Sequence, residues 1–226
     1  MHMKKLLIAV EGVDASGKQT QTDLLYDYLI TKGYKVRRLS FPVYTSDSSA
    51  GVRMYLNGEL GENATDVSAY CASTLFAADR FLSFKSDWQK NYEDGEIILC
   101  DRYVGSNMIH QACKLPLAEK DKFLEWLDDF EHGIYSLPRP DLTIFLDMPP
   151  EYAKKLKEGR LNKINNSEVQ DIHERDEQFI IDSYNNACFI ADKFNWTRIS
   201  CVCGGEVRSI EDIHSEICFY TDKIYS

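Results

Sequence analysis

The chain alternates short, almost unbroken apolar runs with longer stretches in which apolar residues recur every three or four positions. Lys5–Glu11, Lys35–Phe41, Glu96–Cys100, Leu142–Leu146 and Thr197–Val202 are of the first kind. Runs this short and continuous suit strands covered on both faces. Lys18–Lys32 is of the second kind, with Leu24, Leu25, Tyr28 and Leu29 on one side and Gly33 as its stop. Asp66–Tyr92 reads as one long helix carrying Tyr70, Leu75, Phe76, Phe81, Phe84 and Trp88 near helical spacing. Shorter helices are predicted over Val52–Leu56, Ser106–Ala112, Glu119–Phe130, Glu151–Lys157 and Ile210–Tyr220, and a second long one over Glu174–Phe194. Strands separated by helices predict an α/β fold built on a mainly parallel sheet. Such sheets bind ligands beyond the carboxyl ends of their strands. The chemistry is therefore expected just after Glu11, Phe41, Asp101 and Leu146.

No repeat, low-complexity tract or Pro/Gly/Ser linker divides the 226 residues, so one domain over 1–226 is expected. Only the polar stretch 158–171 lacks a period. The net charge of −10, from 26 basic and 36 acidic residues, argues against an extended basic face for a nucleic-acid polymer. A small phosphate ligand needs only a few local cations and is not excluded. The seven cysteines are odd in number and form no CxxC pair, so reduced thiols are expected rather than disulfides or zinc ligands. Cys201 and Cys203 are two apart, so in a strand they would point to one face, and they read as two small core residues. No apolar run approaches the ~20 residues of a membrane span. Leu6–Val10 follows two lysines but is too short for a signal sequence and ends at Glu11. A soluble cytoplasmic protein is expected.

Gly12-Val13-Asp14-Ala15-Ser16-Gly17-Lys18 matches GxxxxGK between a predicted strand and a predicted helix. Glycines at these places let backbone amides turn toward phosphate oxygens. The helix N-terminus adds partial positive charge, and the lysine reaches the outer phosphates. Gly12, Ala15, Ser16, Gly17, Lys18, Gln19 and Thr20 are the expected ATP-binding set. The motif expects a hydroxyl after the lysine to ligate Mg²⁺, and this chain has Gln19, whose amide oxygen could hold a metal or its water. Asp101, ending a buried strand, is the expected carboxylate for Mg²⁺; a helix cap or an ion pair with Arg102 is the alternative use.

The segment EGVDASGKQTQ over Glu11–Gln21 resembles the thymidylate kinase family, as do Leu75–Arg80, Asp101-Arg102-Tyr103 and Pro140–Asp147. The resemblance spans nearly the whole chain. It implies a P-loop NTPase fold, a five-stranded parallel sheet wrapped by helices with a mobile lid at approximately 158–171. It also implies transfer of the γ-phosphate of ATP to dTMP with Mg²⁺, in a homodimer. Carried over position by position, Arg102 grips the acceptor phosphate and Asp14 meets the sugar 3′-hydroxyl. Phe76 stacks on the base, Arg80 one turn later reaches its edge, and Asn107 bonds the ring. Phe41, His110 and Gln111 complete the acceptor set. Lys18, Arg102 and a lid cation are the catalytic set; the lid offers Lys157, Arg160 and Lys163, of which Arg160 is taken. On its own, a helical Phe76 would more commonly be a core aromatic; its i, i+4 pairing with Arg80 favours the functional reading.

Three places depart from the family. Ala15 stands where some members have a P-loop arginine, Val43 where an arginine often faces the acceptor phosphate, and His110 where a tyrosine commonly discriminates against ribose. These leave open a kinase of another nucleotide or a deoxynucleoside. Gln19 leaves open a nucleotide-binding module without catalysis.

Overall fold

A computed structural model of the chain describes residues 5–157 and 171–224. Five strands, β1 (Leu6–Glu11), β2 (Val36–Ser40), β3 (Ile97–Asp101), β4 (Leu142–Asp147) and β5 (Thr197–Ser200), form one sheet in the order β2-β3-β1-β4-β5. Every pairing is parallel. The central strand is wholly buried. Its side chains alternate: Leu7 and Ala9 enter one core, Ile8 and Val10 the other. An unbroken apolar run is what a strand needs when both faces are covered.

Ten helices surround the sheet among the described residues: α1 (Lys18–Thr31), α2 (Ala50–Leu56), α3 (Ala69–Ser83), α4 (Gln89–Glu93), α5 (Val104–Ala112), α6 (Leu117–Asp128), α7 (Pro150–Lys157), α8 (Ile172–Arg175), α9 (Glu177–Lys193) and α10 (Ile210–Lys223). Leu25 and Leu29 of α1 meet Ile213 and Ile217 of α10 over one face. The other face carries Met108 and Ala112 of α5, Phe123 and Leu124 of α6, and Ile190 of α9. A smaller cluster joins Val52, Tyr55 and Leu56 of α2 to Ala72 of α3 and Ile172 of α8. This third cluster stands at the strand ends and walls the site described below.

The expected sheet is present, and the departures lie at element ends. The helix predicted over Asp66–Tyr92 begins at Ala69, because the Ser68 hydroxyl accepts from Cys71 N at 3.2 Å and caps it. It then passes through a π-turn at Phe84–Trp88 before α4. A second π-turn, Asp129–Ile134, continues α6. The helix expected from Glu174 is split, because the Asp176 carboxylate accepts from Phe179 N and starts α9 afresh. The fifth strand stops at Ser200 rather than Val202. Val202–Cys203 instead pairs with Glu206–Val207 in a two-stranded antiparallel hairpin, turned by Gly204 and Gly205 at φ of 60° and 84°. Cys201 is buried, as expected, but Cys203 is exposed, because the chain leaves the sheet before reaching it. The expected lid, 158–171, lies outside the described residues except for Asp171.

Candidate active site

The phosphate loop leaves the carboxyl end of β1, between the ends of β3 and β4. A Cβ on Gly12 would lie 2.7 Å from Ser16 Oγ and 3.1 Å from Leu146 O, so the loop closes only around glycine here. Ala15 at φ 58° and Gly17 at φ 89°, on either side of Ser16, lie in the left-handed region, a backbone arrangement that turns amides toward an anion. Lys18 is buried, and its ammonium donates to Val13 O at 2.6 Å and to Ser16 Oγ at 3.4 Å. These contacts hold the cation against the loop rather than in solvent.

Glu11, wholly buried at the end of β1, ties this loop to the next one. Its carboxylate accepts from Tyr103 N at 2.8 Å and Ser106 Oγ at 2.6 Å. A Cβ on Gly105 would come within 2.8 Å of that carboxylate, so the first turn of α5 can approach only as glycine. Burial pushes the Glu11 pKa up, against the pull of Ser106, Arg102, Tyr103 N and Lys18. Glycine at 105 and an acid at the end of an apolar strand are the two signals that reveal this brace.

Arg102 sits at φ 69°, with its amide donating to Val10 O at 3.0 Å. This backbone aims the side chain back across the strand ends. Its Nη2 donates to Asp14, and its Nη1 lies 3.3 Å from His110 Nε2. The Asp14 carboxylate is thereby held by the Arg102 guanidinium. Burial alone would raise the Asp14 pKa, but Arg102 and Lys18 hold it well below the usual carboxylate range. Asp101 does not pair with Arg102. It is buried, and its Oδ1 has no hydrogen-bond partner.

A solvent-open cleft lies beside Asp14 and Arg102. Asp14, Phe41, Phe76, Arg80, Arg102, Asn107, His110 and Gln111, the eight expected acceptor residues, all line it. They come from the P-loop, the end of β2, α3, the end of β3 and α5. The Phe76 ring meets Tyr55 edge-on at 6.0 Å. Arg80 is only 2% exposed and is held by Glu131, Nε to Oε2 at 2.6 Å and Nη2 to Oε1 at 2.5 Å. Asn107 donates to Ser73 O at 3.1 Å and to the same Glu131 Oε1 at 2.9 Å. Gln111 Oε1 is buried and unpaired.

His110 stacks on His173 at 5.7 Å, and His173 Nε2 lies 2.9 Å from Tyr55 OH. Burial pushes the His110 pKa down to about 3, with Arg102 adding to it, and holds His173 well below its ordinary value. Both imidazoles are therefore neutral at pH 7. Asp171 faces the same cleft, and burial, with Asp14 and Glu174 nearby, pushes its pKa up to about 7. His173, Asp171, Tyr44 and Glu131 were missed by the sequence reading. A polar residue between unrelated elements leaves no periodic signal.

Two expected contributors do not join this cluster. Gln19 is exposed in the first turn of α1, and its side chain has no hydrogen-bond partner among the described residues. Arg160 lies outside the described residues. At the departure from the family, Val43 N donates to Asp79 Oδ2 at 2.9 Å and its side chain packs on the core, so position 43 is structural here. Arg80 and Arg102 are the lining cations among the described residues.

The thymidylate kinase family model matches residues 10–198. The chain belongs to the thymidylate kinase family. It is thereby a nucleoside monophosphate kinase, a transferase that works with ATP. It is 33% identical to thymidylate kinase of Mycobacterium tuberculosis over 172 residues, 76% of this chain and 78% of that one. It is 30% identical to a probable thymidylate kinase of Pyrococcus horikoshii over 219 residues, 95% of each chain. The fold is similar to the solved thymidylate kinase of Candida albicans, with a TM-score of 0.71 at 20% identity, covering 98% of this chain and 93% of that one. Among the described residues no helix is long and apolar enough to cross a membrane.

Proposed function

We propose that this chain transfers the γ-phosphoryl group of ATP to dTMP, giving ADP and dTDP. The observation that carries this reading is the convergence of eight side chains from five parts of the chain on one cleft, with Asp14 bringing the P-loop to its edge. The acceptor phosphate is itself the nucleophile and is already ionised, so no general base is required. A neutral His110 fits that economy. Arg102 would turn from Asp14 toward the acceptor phosphate, a task suited to its fork, while Asp14 would accept from the sugar 3′-hydroxyl. Phe76 would stack on the base. Lys18 would follow the transferred phosphoryl group.

The unpaired Asp101 Oδ1 is a suitable holder for Mg²⁺ or its water, with Gln19 one shell further out. When bound, the ion neutralises charge on the donor phosphates. Among the described residues no three acids, histidines or cysteines form a cage. Mg²⁺ usually takes one or two carboxylates together with substrate phosphates and waters, so no cage is needed.

The remaining cation is assigned to Arg160, with 158–171 as the lid of a single domain. Exposed Leu82, Leu117 and Ile134, on α3, α6 and the turn after it, offer apolar surface for a second copy in a homodimer. Sedimentation as a monomer at micromolar concentration would refute that assembly. Seven free thiols support a reducing, cytoplasmic setting. The deciding experiment for the activity is ADP release with a panel of nucleoside monophosphates. Preference for dTMP supports the reading, and release with no acceptor or none at all sinks it.

A further inference from the structure

We propose that Glu131 sets which base the enzyme accepts, by fixing the donor and acceptor groups that Arg80 and Asn107 present to it. The proposal rests on the dTMP kinase reading above and adds to it a residue that never touches the nucleotide.

Glu131 is the one buried residue of the π-turn after α6, and it is wholly inaccessible to solvent. A π-turn shifts side chains out of α-helical register and recurs at functional sites. Here it carries a carboxylate beneath the far wall of the cleft. All three of its contacts are donors: Arg80 Nε at 2.6 Å, Arg80 Nη2 at 2.5 Å and Asn107 Nδ2 at 2.9 Å. An ionised carboxylate can only accept. Asn107 must therefore turn its amide nitrogen inward, where Ser73 O is a second acceptor at 3.1 Å. Its oxygen is left over. Arg80, with two nitrogens committed, is left with Nη1. Neither Asn107 Oδ1 nor Arg80 Nη1 has a partner among the described residues, and both residues line the cleft.

The base wall thus offers one donor beside one acceptor. A pyrimidine with a carbonyl at position 4 and a ring N–H at position 3 matches both. A pyrimidine with an amino group at position 4 and a bare ring nitrogen presents the reverse at both. Unpaired buried polar groups reject a ligand more strongly than apolar misfit does. A structural reading of the pair is weaker, because buried ion pairs add little stability over apolar residues of the same volume.

In Glu131→Gln an NH₂ replaces one of the two oxygens, and either placement sets a donor against a donor. At Oε2 it faces Arg80 Nε, and at Oε1 it faces both Arg80 Nη2 and Asn107 Nδ2. The aim of Arg80 Nη1 and Asn107 Oδ1 into the cleft is then no longer fixed, and with it the preference for a ring N–H beside a carbonyl. The experiment measures kcat/KM for dTMP and dCMP, and calorimetric binding of each without ATP, in the parent, Glu131→Gln and Glu131→Asp. The aspartate keeps a charge opposite Arg80 but is one methylene too short to hold Arg80 and Asn107 together. Glu131→Gln is expected to lower the dTMP/dCMP ratio at least tenfold by both measures, leaving KM for ATP within about twofold, with Glu131→Asp between it and the parent. An unchanged ratio in folded Glu131→Gln overturns the proposal, whatever happens to its Tm. Should the glutamine variant not fold, the ratio in Glu131→Asp decides in the same way. A parent that does not prefer dTMP overturns the dTMP reading itself, and this proposal with it.

Discussion

The donor loop and the acceptor cleft are built on opposite plans. Gly12–Lys18 is one contiguous segment, and its own backbone amides and one lysine form the anion site. The acceptor cleft is a meeting place for residues from five separate places in the chain, and its polar groups are aimed by partners beneath them: Glu131 under Arg80 and Asn107, Glu11 under the Arg102 turn. The contrast teaches that the loop is shaped locally by its own backbone, while the polar groups of the cleft are held by buried charges beneath them. Damage to the first should therefore abolish transfer without unfolding, and damage to the second should mix specificity with stability.

The largest expected effect lies on the donor side. Lys18→Met should lower kcat by about a thousandfold, since preorganised charge at the transferring group commonly contributes 10²–10³ or more. Thermal unfolding should barely move, because the loop is closed by glycine geometry rather than by the ammonium. A variant that loses Tm in proportion to its activity would erase the contrast.

On the acceptor side, Arg80→Ala should lower kcat/KM for dTMP by about ten- to a hundredfold through the loss of one charged hydrogen bond. KM for ATP should hold. Unlike Lys18→Met, it should also destabilise the fold by roughly 3–5 kcal/mol, because it strands Glu131 as an uncompensated buried charge. Chemical denaturation reads that directly. An equal loss of ATP affinity would mean that Arg80 serves the scaffold rather than the acceptor.

A smaller effect is expected where the P-loop departs from its motif. Gln19 is exposed and unattached, so Gln19→Thr should change kcat by less than about tenfold, or ~1.4 kcal/mol, across a magnesium titration. An inert parent rescued by this change would make the native chain a nucleotide-binding module.

The smallest effect belongs to Asp171. Its folded pKa of about 7 stands above the ordinary 3.8. The stability that this group contributes is complete below the unfolded value and is lost as pH rises through about 7. Asp171→Asn keeps an oxygen to cap α8 and removes the titration. Its Tm advantage over the parent should therefore grow between pH 5 and pH 8. Solvent screening of a half-buried carboxyl keeps this to roughly 1 kcal/mol, a few degrees. A constant offset across that range would place Asp171 in water.

The fold was legible wherever a rhythm ran long enough. Leu6–Val10, an unbroken apolar run ahead of a glycine-rich turn and a helix, could hardly be anything but a buried strand, and Gly33 or Pro42 punctuated what followed. Ends were less legible, because a cap such as Ser68 or Asp176 competes with its neighbours over a fraction of a kcal/mol to a few kcal/mol. Cys203 shows the cost of one such error: a strand that ends two residues early turns a core residue outward. The eight cleft residues were reachable because motif resemblance carries pairings that periodicity cannot. Glu131 was not, since nothing in Phe130-Glu131-His132 says that a charge there turns inward.

By itself the sequence determined the phosphate loop, the parallel sheet and the side of the sheet on which chemistry occurs. Glycine positions, apolar rhythm and strand-to-helix order act over a few residues and need no distant partner. Only the tertiary structure decided that Asp14 meets Arg102, that two imidazoles stack neutral in the wall of the cleft, and that Arg80 shows the cleft one nitrogen rather than its whole fork. Each of those depends on the energy of a charge removed from water, which is set by whatever the fold brings within hydrogen-bond reach.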